Sequence, residues 1–158
     1  MRWTMFKINR KVEYALIALR HIKSSGKLVS AKEICDAYKT PFDTTSRVLQ
    51  IMAQHGILNA EHGAYGGYEL TKDLGSLSFL ELVEMIVGPI KIATCFSGDY
   101  SLCEVTAGCN VIAPMLNLNE RMVQLFKTIS VAELLESRHE RDRLIKEKYI
   151  KKYQPSAS

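Results

Sequence analysis

Apolar residues near the N-terminus recur every three or four positions, which is the spacing of a helix with one buried face. They are Val12, Ala15, Leu16, Leu19 and Ile22. This pattern predicts an amphipathic first helix from about Asn9 to Lys23, with an end near Gly26.

Three serines each precede a glutamate by three positions, which is the pattern of a capping box at the start of a helix. The first pair predicts a short helix that ends near Tyr38, and the second predicts a helix from Phe79 to Gly88. The third predicts the start of another helix at Ser130. The pairs are Ser30 with Glu33, Ser78 with Glu81 and Ser130 with Glu133.

Thr40-Pro41 ends the short helix, and a new helix is predicted from there to His55, before Gly56. One side of the new helix is apolar and the other is polar, as expected for a helix at a protein surface. Two short helices joined by a tight turn have the form of a helix-turn-helix that reads DNA, although any surface helical hairpin has a polar face. The apolar positions are Thr45, Val48, Leu49 and Met52, and the polar ones are Asp43, Arg47, Gln50 and Gln54.

The segment after Gly56 predicts a β-hairpin, with strands over 57–60 and 68–71 and a glycine-rich turn over 62–67. A hairpin in this position predicts a winged helix. Its glycines allow close approach to phosphates, and His62 and Tyr65 at the tip are placed to enter a minor groove or contact the DNA backbone. The Gly-Gly pair is not a nucleotide-binding fingerprint, because no helix follows it.

A long helix opening at Pro114 carries apolar residues at alternating spacings of three and four, like a coiled-coil seam. We expect this seam to hold a homodimer, and packing on its own domain is the alternative. The seam consists of Met115, Leu118, Met122, Leu125 and Ile129. The fold class is therefore mainly α with a small β-wing. Its segments are a DNA-binding domain (1–88), a cysteine loop (89–113), a dimerisation helix region (114–136) and a charged tail (137–158).

The charge of the chain changes along its length. The net charge is +4, yet residues 1–60 hold ten basic and four acidic residues, whereas residues 61–137 hold four and ten. A basic N-terminal third favours a polyanionic partner there. The N-terminus lacks the apolar run of a signal peptide and no stretch is long enough to cross a membrane, so we expect a cytoplasmic protein.

Three of the four cysteines, Cys95, Cys103 and Cys109, lie within fifteen positions. Thiolates are soft ligands for iron–sulfur clusters or zinc, and a structural zinc site usually has Cys-x2-Cys pairs, which are absent here. An iron–sulfur cluster with one non-cysteine ligand is the favoured interpretation, against reduced loop thiols or one disulfide with an odd cysteine. An electron-transfer or catalytic role ranks last, because no nucleotide motif or second cluster motif accompanies the loop.

Several features together resemble the Rrf-type winged-helix transcriptional regulators. They are the opening Met-Arg-Trp-Thr, the Val12-to-Leu16 segment, the capped and recognition helices, the Gly-Ala-Tyr-Gly-Gly-Tyr wing, the three-cysteine loop and the long helix after it. The resemblance implies a homodimeric transcription factor, which we expect to be a repressor, most similar to the NsrR side of the family. Its iron–sulfur cluster would sense nitric oxide, redox state or iron and cluster status, and so control affinity for a palindromic operator.

The resemblance also implies ligands. IscR-like members place a histidine three residues after the last cysteine, but Ile112 stands there. NsrR-like members use a carboxylate on the first helix of the other subunit, and Glu13 aligns with it. An ion pair with Lys11 or Arg10 is the ordinary alternative for Glu13. A 4Fe-4S cluster is favoured and a 2Fe-2S cluster is possible. The competing function is a cluster-free winged-helix regulator that senses redox through its thiols.

The same alignment assigns DNA contacts to the recognition helix and the wing. Arg47 is expected to read guanine in the major groove. His62 replaces an arginine that is usual in the family, so we expect its contact to depend on pH. Cys35 is expected to be a small buried apolar residue. The assigned contacts are Asp43, Thr44, Ser46, Arg47, His62 and Tyr65.

Overall fold

The fold was analysed in a computed structural model, which describes residues 7–63, 65–93, 96, 103, 105 and 108–136. These residues form six helices and one two-stranded sheet. The opening residues, Cys95 and the tail from 137 onward, about which the sequence made predictions, lie outside them. The elements are α1 (Arg10–Ser25), α2 (Ala31–Tyr38), α3 (Phe42–Gln54), β1 (Leu58–Glu61), β2 (Gly67–Leu70), α4 (Phe79–Val87), α5 (Ile112–Thr128) and α6 (Val131–Leu135).

Helix α1 forms the centre of the core. The side chain of Asn9 caps its start by accepting a hydrogen bond from the main-chain N–H of Lys11 at 2.9 Å. Gly26 ends it with a left-handed backbone, at φ 62°. The buried residues of this helix are Val12, Ala15, Ala18, Leu19 and Ile22. The predicted helix is confirmed, and it extends two residues beyond Lys23.

The three predicted serine caps are confirmed at α2, α4 and α6. Each serine hydroxyl accepts a hydrogen bond from the main-chain N–H of the paired glutamate at 3.1 Å. At α4 the box is complete, because the Glu81 carboxylate accepts from the main-chain N–H of Ser78 at 2.8 Å. At α2 the carboxylate of Glu33 instead meets Nε2 of His21 at 3.1 Å, which joins α2 to α1.

The helix-turn-helix is confirmed at α2 and α3. Lys39 ends α2 in the left-handed region, at φ 55°, and Pro41 precedes α3 with an extended backbone. The apolar face of α3 is buried as predicted, by Thr45, Val48, Leu49 and Met52, each at most 1% exposed. Helix α3 therefore presents only its other side to solvent.

The predicted wing is confirmed as an antiparallel pair of β1 and β2, in which Leu58 faces Leu70 and Glu61 faces Gly67. Val29 pairs with the other edge of β2 as an isolated antiparallel bridge, through two main-chain hydrogen bonds with Tyr68 at 3.0 and 2.9 Å. Gly67 allows this close approach, because a Cβ there would lie 2.8 Å from the carbonyl oxygen of Val29. Its missing side chain thus lets the hairpin pair with the backbone of Val29, whereas the sequence had suggested a role in approach to phosphates.

Helix α5 leaves the core and returns to it at its C-terminal end. The helix begins at Ile112, two residues before the predicted start at Pro114. Main-chain hydrogen bonds of 2.8 Å from Phe79 to Ile129 and from Val131 to Leu77 fix the segment that follows it. Val131 is fully buried. No helix within the described ranges is long and apolar enough to cross a membrane.

Candidate nucleic-acid interface and cysteine loop

The outward side of α3 carries a row of polar residues at helical spacing. Asp43 and Arg47 are exposed, and Thr44 is half-buried at the edge of the row. Gln50 and Gln54 continue the row toward the end of the helix and are also exposed. Guanidinium and amide groups of this kind hydrogen-bond to base edges in a major groove. The row therefore has both the side chains and the access that a DNA-reading helix needs.

Ser46 differs from the other assigned contacts on α3. Its hydroxyl oxygen is buried and has no hydrogen-bond partner within the described part of the chain. A buried hydroxyl cannot reach a DNA duplex unless its side chain rotates. The assignment of Ser46 as a DNA contact came from alignment alone, and this burial argues against it.

A chain of side-chain hydrogen bonds holds α3 against α2. The hydroxyl of Thr45, which is fully buried, donates to Oγ1 of Thr40 at 2.9 Å. The hydroxyl of Thr40 donates in turn to Sγ of Cys35 at 3.6 Å. Cys35 is 8% exposed, as the sequence predicted for a buried residue. These contacts fix the turn that sets the angle of α3.

The two assigned wing residues both lie at the surface. His62 is exposed and Tyr65 is 96% exposed, so neither side chain contributes to the core. They follow β1 and precede β2 in the hairpin turn. An aromatic ring left almost wholly in water is available for a contact with a partner, which fits the predicted role of the wing tip.

Phe42 is a candidate contact that the sequence pattern did not reveal. It is the first residue of α3, and 55% of it is exposed. Its spacing from Thr45 and Leu49 matches their apolar row, so periodicity alone places it in the core. The core does not reach the first residue of α3, which leaves the ring at the surface. Such a ring can contact the methyl group of thymine.

Two of the three loop cysteines lie within the described residues. Cys103 and Cys109 are both half-buried, and no disulfide joins the described cysteines. No group of three metal-ligating side chains converges among the described residues, which do not include Cys95. The donor chemistry of the loop, three thiols within one short segment, fits a soft metal centre.

Glu13 lies in the first turn of α1 and is partly exposed, with 36% of its side chain accessible. Its Oε2 accepts a hydrogen bond from Nη1 of Arg10 at 2.7 Å. Arg10 is thus the ion-pair partner in the single chain, the alternative that the sequence left open. Because the pair is at the surface, it holds Glu13 weakly and leaves the carboxylate accessible to another subunit.

The predicted seam of α5 is divided between the chain's own core and solvent. Ile129 packs against the core cluster, and Phe126 contacts Phe79 edge to face at 5.0 Å. Leu118 and Leu125 are 47% and 55% exposed, and Met115 and Met122 are half-buried. No residue of α5 is fully buried. Packing on its own domain therefore accounts for only the C-terminal end of the helix.

The chain belongs to the Rrf2 family: the family's sequence model, described as an iron-dependent transcriptional regulator, matches residues 8–137. A putative HTH-type transcriptional regulator of Aquifex aeolicus is 24% identical over 126 residues, covering 78% of this chain and 88% of that protein. The HTH-type transcriptional regulator NsrR of Shouchella clausii is 20% identical over 125 residues, covering 78% of this chain and 84% of that protein. These relatives confirm the predicted resemblance.

Solved structures share the fold. CymR of Bacillus subtilis, described as a global cysteine regulator, superposes with a TM-score of 0.59 at 15% identity, over 83% of this chain and 97% of CymR. IscR of T. potens superposes with a TM-score of 0.55 at 18% identity, over 82% of this chain and 86% of IscR. The mainly helical winged-helix fold is confirmed. The family consists of transcriptional regulators rather than enzymes, in agreement with the low rank given to an enzymatic role.

Proposed function

We propose that this Rrf2-family regulator is a homodimer that binds a palindromic operator and carries an iron–sulfur cluster on its cysteine loop. The observation that supports this most is the order of surfaces along the chain. An exposed polar row on α3 and an exposed wing tip are followed by a three-thiol loop and then by a helix whose apolar face is partly exposed.

DNA binding rests on the exposed side of α3. Arg47 and Gln50 are free to enter a major groove, and the buried row of α3 with the Cys35–Thr40–Thr45 chain keeps the helix from tilting. Tyr65 at the wing tip reaches the flanking backbone or minor groove. The side chains on α3 supply sequence selection, whereas the wing adds affinity.

Dimerisation rests on α5. Leu118 and Leu125, seven residues apart, lie on one side of the helix and expose about half of their surface. A second copy of the same helix provides a matching apolar row, and a two-fold axis between them presents two recognition helices to two half-sites. Symmetry of the protein then requires a palindromic operator.

The cluster would be held by Cys95, Cys103 and Cys109, with Glu13 of the other subunit as the oxygen ligand. When bound, such a cluster supplies a centre that reacts with oxygen or nitric oxide. A hard oxygen ligand beside three thiolates is the weakest of the four, which makes it the one lost first. Glu13 belongs to α1, which packs against α3. When Glu13 exchanges the cluster for Arg10 as its partner, the change therefore acts on α1, the helix that supports the recognition helix.

The test is selection of bound duplexes from a random DNA library, using protein purified without oxygen and protein stripped of metal. We expect one of the two forms to enrich an inverted repeat whose half-sites are centred about 10–10.5 base pairs apart, or a multiple of this. Enrichment of an unpaired single site would contradict the dimer. Identical enrichment by both forms would contradict control by the cluster.

A thiol-based sensor without a cluster is the second candidate, and the Arg10–Glu13 ion pair favours it, because that pair already satisfies the proposed fourth ligand. The fold shared with CymR, described as a cysteine regulator, supports the same alternative. In this candidate Cys95, Cys103 and Cys109 act as peroxide-sensing thiols. Iron and sulfide analysis of protein purified without oxygen separates the two, since only the cluster form contains both elements.

A further inference from the structure

A cleft lies at the N-terminal end of α1, where four parts of the chain meet. It has a volume of about 280 Å³ and is formed by the start of α1, the face of α4, the segment 88–92 and the end of α5. This volume lies just below the range of about 300–1,000 Å³ that is typical of ligand-binding pockets, so the cleft has room only for a small molecule.

The floor and the rim of the cleft differ in chemistry. Its floor includes Val12, Phe79 and Val83, which are at most 7% exposed. Its rim includes Ile8 and Val87, each 41% exposed, and two lysines. Lys7 and Lys91 are the only charged residues among the described residues that line it. The cleft is therefore apolar inside and positive at its mouth.

We propose that this cleft binds a small monocarboxylate with an apolar body, whose carboxylate lies at the lysine-bearing rim. The apolar body removes the floor from water, which is the main favourable contribution to binding. The carboxylate matches the charge of Lys7 and Lys91. A free phosphate or a DNA backbone would leave the floor unfilled, and a neutral or cationic ligand would leave the two lysines without a partner.

The position of the cleft makes its occupant sensitive to the arrangement of α5. Phe126 lines the cleft and is also the residue that holds the end of α5 on Phe79. The N–H of Ile92, another lining residue, donates to Oδ1 of Asn119 on α5 at 3.1 Å. A bound ligand thus touches two of the contacts between α5 and the rest of the described chain, and it should raise the melting temperature.

The experiment uses octanoate as the probe and the full-length protein, observed through the isoleucine and valine methyl signals in NMR titrations. We expect saturable binding of one octanoate per chain, with a Kd of about 1 mM or below. The shifts should centre on Val83, Val87 and Ile90. Octan-1-ol, which keeps the apolar body and loses the charge, should bind about two- to five-fold more weakly, the range that an exposed ion pair supplies.

Two substitutions at the rim test the position of the carboxylate without disturbing the buried floor. Lys91→Met removes one charge and keeps the apolar stem, so octanoate should lose the same two to five-fold while octan-1-ol is unaffected. Val87→Glu places a like charge at the mouth and should weaken octanoate further. Lys32→Met, on the exposed side of α2, serves as the matched control and should change nothing.

Failure of octanoate to give saturable shifts at these positions would overturn the proposal, as would equal binding of octanoate and octan-1-ol. Shifts confined to the α5 surface around Leu118 and Leu125 would also overturn it, because they would place the probe on the exposed leucines of that helix. Binding is read directly on the protein, so loss of DNA binding or of a cluster does not affect the outcome.

Discussion

The exposed leucines of α5 give a prediction whose size follows from the structure. The double substitution Leu118→Ala and Leu125→Ala removes most of the apolar surface that the two side chains would bury in a dimer. Alanine keeps the helix, because it has the highest helix propensity. The two leucines are 47% and 55% exposed in the single chain, so about half of each remains to be buried by a partner.

The expected loss of dimerisation free energy is large enough to measure. Full burial of a leucine side chain contributes about 1.5–3 kcal/mol, so half of that from four leucines in a symmetric dimer gives about 3–6 kcal/mol. Since about 1.4 kcal/mol is tenfold in an equilibrium constant, the dimer should dissociate about 100- to 10,000-fold more readily. Operator affinity should fall with it, because a monomer reads only one half-site.

Sedimentation equilibrium over a range of protein concentrations measures this change, with circular dichroism to check that the helix is retained. The matched control is the double substitution Asn117→Ala and Gln124→Ala, which has the same spacing on a neighbouring exposed face. It should leave the dimer intact. An unchanged dimer constant in the leucine variant, or an equal loss in the control, would refute the assignment of this face to self-association.

Three further substitutions test the DNA-binding domain. Arg47→Ala should weaken binding to a selected operator by about 1–3 kcal/mol and to a scrambled duplex much less, measured by fluorescence anisotropy. Lys127→Ala, an exposed basic residue on α5, is the control. Equal losses on both duplexes would make Arg47 a phosphate contact. Gly67→Ala should lower the free energy of unfolding in urea by about 1–3 kcal/mol, because the new Cβ would lie 2.8 Å from the main-chain oxygen of Val29. Gly75→Ala is the control and should have little effect, because its Cβ would meet only the movable carboxylate of Asp73. A hydrogen bond from the main-chain N–H of Ser78, the N-cap of α4, lowers the pKa of Glu81. The charged carboxylate therefore stabilises the fold at pH values above the ordinary carboxylate pKa. That stability is lost as the pH falls through the lowered pKa. The melting-temperature difference between wild type and Glu81→Gln should therefore shrink on acidification, and a difference that grows would contradict the capping box.

The helices and the wing were predictable because each has a strong local signal. The serine hydroxyls at positions 30, 78 and 130 accept the hydrogen bonds that the Ser-x-x-Glu spacing predicted. The reciprocal hydrogen bond, from the main-chain N–H of the serine to the glutamate carboxylate, was less predictable. A glutamate can instead bind another partner that tertiary packing brings near it. Glu33 does so by contacting His21, a residue twelve positions away that no local pattern brings near it.

The candidate site was less predictable because surface exposure depends on tertiary packing. Ser46 and Phe42 illustrate this dependence. The hydroxyl of Ser46 is buried although the residue aligns with a DNA contact, and Phe42 is exposed although it continues an apolar row. In each case the boundary of the core, set by how α3 rests on α1 and α2, decides the outcome. That boundary cannot be read from periodicity.

The seam of α5 illustrates the same limit. Its five residues have one spacing, yet Ile129 packs on the core while Leu125 is more than half exposed. The return of the chain at Ser130, pinned by the hydrogen bonds beside Ser78, determines where the helix meets the core. Only the remainder of the seam is left for a partner.

Native mass spectrometry of protein purified without oxygen tests the central claim most directly, with Glu13→Ala compared in parallel. The account predicts a dimer with one iron–sulfur cluster per chain, a cluster that reacts with nitric oxide, and a marked loss of cluster in the Glu13→Ala protein. Arg10→Ala, which frees Glu13 from its ion pair, should retain the cluster. A dimer without iron or sulfide after careful reconstitution would contradict the account and leave the thiol-based regulator in its place.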